Sequence, residues 1–266
     1  MKIGIIGAGL MGHGIAQTAA AAGHAVVLTD VNRDRAEAGK AKVEKGLQRL
    51  VGKGSMEASA AEALLGRITP ADDRAGFSDA GLVIEAATEN VELKKRIFAD
   101  LGGELGPETI LATNTSSISI TMLASVTDRP DKFVGLHFFN PVPVMKLVEI
   151  IPGLATSDDT RALARAFVDS LGKTAIVSED SPSFIVNRVL CPMLNEAIFA
   201  LGEGIGSVED IDTGLKLGAN HPMGPLTLAD FVGLDTLHAI MLVMLEATGD
   251  PKYRPAPLLT KYVEAG

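Results

Sequence analysis

Lys2-Ile3-Gly4-Ile5-Ile6-Gly7-Ala8-Gly9-Leu10-Met11-Gly12 opens the chain, and its reading decides the fold. Residues 2–6 form a short, β-branched apolar run, the pattern of a strand buried within a parallel sheet. Gly7, Gly9 and Gly12 follow with G-x-G-x-x-G spacing. The first glycine permits a tight turn, the second lets backbone approach a pyrophosphate, and the third lets the next helix pack on the strand. A helix predicted over 11–22 turns its amides and the positive end of its dipole toward phosphate. Gly23 stops it, and 25–28 reads as a second strand ending at Thr29-Asp30. Asp30 stands 23 residues after Gly7 (30 − 7), close to the ~20 expected of an acid that bonds ribose hydroxyls. A carboxylate there repels a 2′-phosphate, so NAD is expected over NADP, although Arg33 nearby pulls the other way. The expected cofactor segment is therefore Gly7, Ala8, Gly9, Leu10, Met11 and Gly12, with Asp30.

Composition narrows the class. The chain has 266 residues, a formal net charge of −9 and 47% hydrophobic residues, enough for a sizeable core in one or two domains. The acidic balance argues against a general nucleic-acid binder. One cysteine, Cys191, rules out an intrachain disulfide and fits a reducing compartment; its apolar surroundings suggest a buried, inert thiol. The first residues are too short and glycine-rich for a signal sequence. The apolar stretch 226–245 carries Asp230, Asp235 and His238, which disfavours a membrane span. A cytoplasmic, soluble protein is expected.

Asn32 is a plausible cap for a helix over 33–51. Lys42, Lys45, Arg49 and Lys53 recur at helical spacing and put four cations on one face. That stripe could hold an anionic ligand or simply face solvent. A further helix is expected over 55–66, a linker over 72–81 and a strand over 82–87. Glu89 and Lys94 then fall where a strand's C-terminal end meets the cofactor crevice. A strand over 109–113 ends in the polar quartet Asn114-Thr115-Ser116-Ser117, which could cap a helix over 118–126, contact a ligand, or both.

His137 lies near the end of a strand over 133–138, and Glu149 on a strand over 144–151. A histidine exchanges a proton near neutrality, and a carboxylate on its second nitrogen fixes the tautomer. With a dinucleotide site in the same chain, this pair is the expected catalytic centre. His13, His24, His221 and His238 read as structural. No Cys/His cluster has metal-ligand spacing, and HExxH and GxSxG are absent.

A helix over 160–172, a last strand over 173–177 and a polar linker over 178–183 complete the first part. Beyond it only helices are expected, over 184–201, 208–217 and 226–248. Asn187 and Asn195 fall in or near the first of these, with Asn187 a candidate for the cleft. The last helix is apolar on several faces and seeks more burial than so short a region supplies, so a homodimer through it is expected. The fold class is α/β: a Rossmann-type, mainly parallel sheet domain over 1–180, then an all-α domain over 181–266.

Ile5-Ile6-Gly7-Ala8-Gly9-Leu10-Met11-Gly12, Asn114-Thr115-Ser116-Ser117, Gly135-Leu136-His137-Phe138-Phe139-Asn140-Pro141, Met145-Lys146-Leu147-Val148-Glu149, Phe184-Ile185-Val186-Asn187-Arg188 and His221-Pro222-Met223-Gly224-Pro225 resemble, in order, the L-3-hydroxyacyl-CoA dehydrogenases. That resemblance implies a Rossmann-type domain followed by a helical dimerisation domain. It also implies NAD-linked interconversion of an (S)-3-hydroxyacyl-CoA, such as 3-hydroxybutyryl-CoA, and its 3-ketoacyl-CoA. It assigns His137 as acid/base, Glu149 as its orienting carboxylate, and Ser116 and Asn187 as donors to substrate or cofactor oxygens. Cofactor contacts fall on Gly7, Gly9, Gly12, Asp30, Glu89, Lys94 and Asn114, and a CoA-phosphate contact on Lys53. The sequence departs from the family at Pro182-Ser183, where the family has Pro-Gly; if that position needs φ > 0, serine strains it. The family also continues into a glycine- and aromatic-rich tail, where this sequence ends at Ala265-Gly266. Two rival readings are an enzyme of the same architecture acting on a non-CoA hydroxy acid and a non-catalytic dinucleotide binder.

Overall fold

A computed structural model describes residues 1–266. The chain divides into two compact units, Met1–Asp180 and Ser181–Gly266.

The first unit is built on one eight-stranded sheet. Its strands are β1 (Lys2–Ile6), β2 (Ala25–Thr29), β3 (Ile68–Ala71), β4 (Leu82–Glu85), β5 (Ile110–Thr113), β6 (Phe133–Phe138), β7 (Leu147–Pro152) and β8 (Thr174–Val177), in the order β3-β2-β1-β4-β5-β6-β7-β8. Every neighbouring pair is parallel except β6 and β7. The central strands β4, β5 and β6 are buried along their whole length, which explains their unbroken apolar character. The helices α1 (Leu10–Ala21), α2 (Arg33–Gly52) and α3 (Ala58–Gly66) pack against one another and the β1–β3 end. Two further helices, α4 (Val91–Leu101) and α5 (Ile120–Ala124), precede β5 and β6, and α6 (Asp158–Ser170) packs on β6, β7 and β8. The core runs through Ile3, Ile5, Ile84, Val134 and Leu136.

Strand β3 was not expected from the sequence. It holds Pro70, which argues against a central strand, but β3 lies at the sheet's edge, where a missing N–H is tolerated. The expected helix over 118–126 shrinks to α5. Ser119 caps it, and Asp180 accepts from the Ser119 hydroxyl and the Ile120 and Thr121 amides. Part of the expected 178–183 linker is thus tied to the sheet domain, since the Ser178 amide also donates to the Ile150 carbonyl.

The second unit contains α7 (Val186–Gly202), α8 (Val208–Gly218), α9 (Pro225–Val232), α10 (Leu234–Thr248) and α11 (Pro257–Ala265). The single helix expected over 226–248 is instead α9 and α10, bent by 93° at Gly233, whose φ of 100° only glycine adopts readily. The break lets each arm find its own burial: Leu226 and Ala229 from α9, and Leu237, Met241 and Met244 from α10, join Leu194, Ile198 and Leu259 in one core. No single helix is long and apolar enough to cross a membrane. Asn195, fully enclosed in α7, accepts from the Ala256 amide (2.8 Å) and donates to the Arg254 carbonyl (3.0 Å), pinning the approach to α11. Cys191 is 2% exposed, and burial pushes its thiol up to about 12, which removes it as a nucleophile near neutrality.

Ser183 carries the strain that its departure from Pro-Gly implies. Its φ is 66°, its side chain is fully buried, and its hydroxyl has no hydrogen-bond partner. Left-handed backbone costs a non-glycine residue about 1–2 kcal/mol, and an unpaired buried hydroxyl about 1–3 kcal/mol. Glycine gives back roughly 0.5–1 kcal/mol through its freer unfolded chain. Ser183→Gly should therefore raise the unfolding free energy by about 1 kcal/mol or more in urea titrations; an unchanged or lower midpoint would show that the backbone there is not strained.

Candidate active site

The glycine turn after β1 is shaped by contacts that exclude a side chain. Gly7 has φ 99°, donates its N–H to the Thr29 carbonyl (2.8 Å), and faces the 86–87 backbone so closely that a Cβ would lie 2.5 Å from Ala87 Cα. A Cβ on Gly12 would sit 1.7 Å from the Gly7 carbonyl oxygen. Gly9, the N-cap of α1, is the opposite case: a Cβ there would meet nothing within 4 Å. The first turn of α1 carries no acidic residue, so its positive dipole end stays uncompensated. Open space, unneutralised amides and a helix start together fit the pyrophosphate of a dinucleotide. Of the remaining fingerprint residues, the Ala8 side chain is buried, Met11 is partly buried and Leu10 is 62% exposed.

Asp30 fixes the turn from the neighbouring strand end, accepting from the Ala8 and Val31 amides, each at 2.7 Å. A cavity of about 790 Å³ opens beside it, lined by Gly7, Asp30, Val31, Ala87, Leu93 and Ile97 among others. Arg33, the residue that argued for a 2′-phosphate, does not line this cavity. Its Nε donates to Glu37 at 2.9 Å, and that bond holds its pKa above the usual arginine value.

The ends of β4 and β5 form a buried polar network. Glu85, with no solvent exposure, accepts from the Ala87 amide (2.8 Å), the Thr113 hydroxyl (2.9 Å) and the Lys94 ammonium. Lys94, expected at the cofactor, is itself fully buried between Glu85 and Thr113. These two bonds use two of the three ammonium donors. Through Glu85, Lys94 also shapes the 86–90 loop at the edge of the crevice where a cofactor contact is expected. Sequence reading missed Glu85; the available signal was an acid ending a wholly apolar strand. Glu89, on that loop, accepts from the Thr115 hydroxyl (2.8 Å) and the Ser116 amide (2.7 Å), so it positions the polar quartet. Asn114 accepts from the Phe138 amide (2.9 Å), tying the end of β5 to the end of β6.

His137 and Glu149 meet across the one antiparallel joint of the sheet. The register sets them directly opposite, and His137 Nδ1 lies 2.7 Å from a Glu149 carboxylate oxygen. Glu149 has no solvent exposure and His137 only 6%; the Phe139 ring centre lies 4.5 Å from the imidazole. Since a carboxylate only accepts, Nδ1 must carry the proton in this bond. Lys173 steadies the connection between the two strands, donating to the Val142 (2.7 Å) and Met145 (2.6 Å) carbonyls, and burial lowers its pKa. Sequence reading missed this lysine too, because nothing local marks a lysine that ties a turn.

The remaining candidates lie elsewhere. Lys53 follows the end of α2, exposed like Lys42, Lys45 and Arg49 on that helix. Asn187 is partly buried in the first turn of α7, in the second unit. No group of three or more His, Cys, Asp or Glu side chains has the geometry of a metal site. His24 bonds Ser170 and packs on Phe167, and His238 lies within 3.2 Å of the Thr260 hydroxyl.

A phosphate-binding glycine turn, an acid at the end of the next strand and a buried histidine–carboxylate pair define a nucleotide-dependent oxidoreductase. Residues 2–181 match the family model for the 3-hydroxyacyl-CoA dehydrogenase NAD binding domain, and 184–266 that for the 3-hydroxyacyl-CoA dehydrogenase C-terminal domain. The chain belongs to the 3-hydroxyacyl-CoA dehydrogenase family, and its cofactor is NAD. It is 56% identical to a 3-hydroxybutyryl-CoA dehydrogenase of Bradyrhizobium diazoefficiens, over 100% of this chain and 90% of that one. Identity to a Clostridioides difficile protein of the same name is 47%, over 100% of this chain and 94% of that one. The crystal structure of (S)-3-hydroxybutyryl-CoA dehydrogenase from Ralstonia eutropha superposes with a TM-score of 0.97 at 50% identity, covering 100% of this chain and 94% of that one.

Gly12→Ala tests the cradle directly. With a Cβ driven into the Gly7 carbonyl, NADH affinity should fall at least about 100-fold, as read by fluorescence titration of protein that circular dichroism shows folded. Unchanged affinity would mean that the turn does not hold the dinucleotide.

Proposed function

We propose that the chain interconverts (S)-3-hydroxyacyl-CoA and 3-ketoacyl-CoA, with 3-hydroxybutyryl-CoA and acetoacetyl-CoA as the short-chain pair. The observation that carries this reading is the enclosed His137–Glu149 pair in a chain with a dinucleotide cradle. Relatives named for 3-hydroxybutyryl-CoA over nearly their whole length support the choice of substrate.

NAD, when bound, takes up or returns the hydride. The chain's own residues manage the proton. In oxidation His137 accepts the substrate hydroxyl proton at Nε2, while Nδ1–H stays on Glu149; in reduction it returns that proton to the forming alkoxide. Glu149 holds the tautomer and stabilises the imidazolium, because its charge is poorly screened where it is buried. The Ser116 hydroxyl and the Asn187 amide donate to substrate or cofactor oxygens where negative charge grows. Glu89, Asn114 and Glu85, the last with Lys94, hold the strand-end loops in register. Lys53, with the cationic face of α2, takes the CoA phosphates. A second copy of the chain covers the helical unit, where Phe231, Leu242 and Tyr262 are 69%, 45% and 57% exposed.

Acetoacetyl-CoA reduction with NADH is the test. His137→Gln should lower kcat by roughly 10²–10⁴-fold while leaving NADH binding intact; near-normal turnover would remove His137 as the acid/base. Lys53→Glu should raise the KM for acetoacetyl-CoA by about tenfold and leave that for the pantetheine thioester unchanged, since only CoA carries the phosphates. Equal behaviour of the two thioesters would favour a non-CoA hydroxy acid as the natural substrate.

A further inference from the structure

The cavity beside Asp30 holds more charge than ribose recognition needs. Asp72, Asp73 and Arg74, directly after β3, and Glu104, after α4, also line it. With Asp30 that makes four carboxylates and one guanidinium, a formal charge of −3 (1 − 4). The guanidinium is engaged: Arg74 Nε lies 2.8 Å from one Glu104 oxygen and Nη2 2.9 Å from the other, a two-point ion pair joining the loops after β3 and α4. Asp73 accepts from the Ala75 amide at 3.0 Å and so shapes the turn that carries Arg74. Arg33, close to Asp30 in sequence, makes a single contact, Nε to Glu37 at 2.9 Å.

These pairings bear on the choice of dinucleotide. NADP differs from NAD by a 2′-phosphate that brings a charge of roughly −1.5 to −2, and NADP-binding folds accommodate it with an arginine close to the second strand's end. Here an arginine lines the cavity but its donors already face a carboxylate. We propose that Glu104 is a specificity-determining residue for NAD over NADP, acting by occupying Arg74. Asp30 repels the 2′-phosphate directly, and Glu104 removes the one cation in the cavity wall that could compensate it. Discrimination of this kind works against the wrong ligand and adds nothing to the right one. The alternative is a solvent-facing pair that only joins two loops. Half-exposed ion pairs commonly do no more, but this one is two-pronged and lines the cavity. The inference rests on reading that cavity as the adenosine end of the cofactor site.

The experiment compares kcat/KM for NADPH and NADH in acetoacetyl-CoA reduction by the full chain. Using the ratio of the two cofactors on one preparation cancels differences in folded fraction. Glu104→Ala should raise the NADPH-to-NADH ratio by at least about tenfold, with Glu104→Gln moving the same way. The double variant Arg74→Ala/Glu104→Ala should bring the ratio back to within about threefold of the parent, because the gain runs through Arg74. A ratio unchanged in Glu104→Ala, or a gain that survives in the double variant, overturns the proposal. Asp30→Ala separates the identity of the cavity from the role of Glu104. If it leaves the KM for NADH unchanged, the cavity is not the adenosine end. If it raises that KM while Glu104→Ala leaves the ratio alone, the cavity reading stands and the role of Glu104 falls.

Discussion

Glu149 has no contact with solvent, and a carboxylate so enclosed must be paired or lose its charge. The pairing is supplied by strand register. Six of the seven strand pairs are parallel, and the seventh, β6 with β7, runs antiparallel and sets His137 directly across from Glu149. In such a pair the opposed side chains lie on the same face, about 5 Å apart at Cβ, so their heads meet without reaching. A slip of one residue would turn Glu149 to the other face and leave both groups stranded. The packing of β7 between β6 and β8, and the grip of Lys173 on the connecting turn, therefore hold the His137–Glu149 pair as well as the sheet.

The same logic governs the strand ends nearby. Glu85 and Lys94 form an ion pair shut off from solvent, an arrangement that seldom adds net stability over a well-packed apolar pair. Its consequence is positional. It fixes the Ala87 amide and hence the loop carrying Glu89, which in turn grips Thr115 and Ser116. The glycine turn is fixed from its other side by Asp30 through the Ala8 amide. Carboxylates ranging from buried Glu85 to exposed Glu89 thus orient the backbone around the site, while the helix start beside Gly9 stays free of acidic side chains.

How much of this was legible before the structure depended on how local the constraint was. The G-x-G-x-x-G turn and Asp30 could be read because their geometry is set within one βαβ unit. His137 and Glu149 were readable as a pair of residue types, but their register is non-local. Sequence shows the charge of Lys94 beside the crevice and hides its partner; in the fold Glu85, nine positions earlier, pairs with it. Asp180 looked like linker and instead caps α5. Strand β3 was hidden by Pro70, and the break between α9 and α10 by the apolar residues on both sides of Gly233. Ser183 was the exception, a position marked by the departure from Pro-Gly that the family resemblance implies, and its φ of 66° shows the strain.

The proposed chemistry requires Glu149 to hold the proton on Nδ1 of His137 and leave Nε2 as the proton-exchanging nitrogen. Nitrogen-15 NMR of protein labelled at histidine reads this directly, with His137→Gln identifying the resonance. Neutral His137 should be protonated at Nδ1 and unprotonated at Nε2, and this tautomer preference should be lost in Glu149→Gln. A His137 protonated at Nε2 in the neutral state would contradict it, because the nitrogen meant to accept the substrate proton would already carry one.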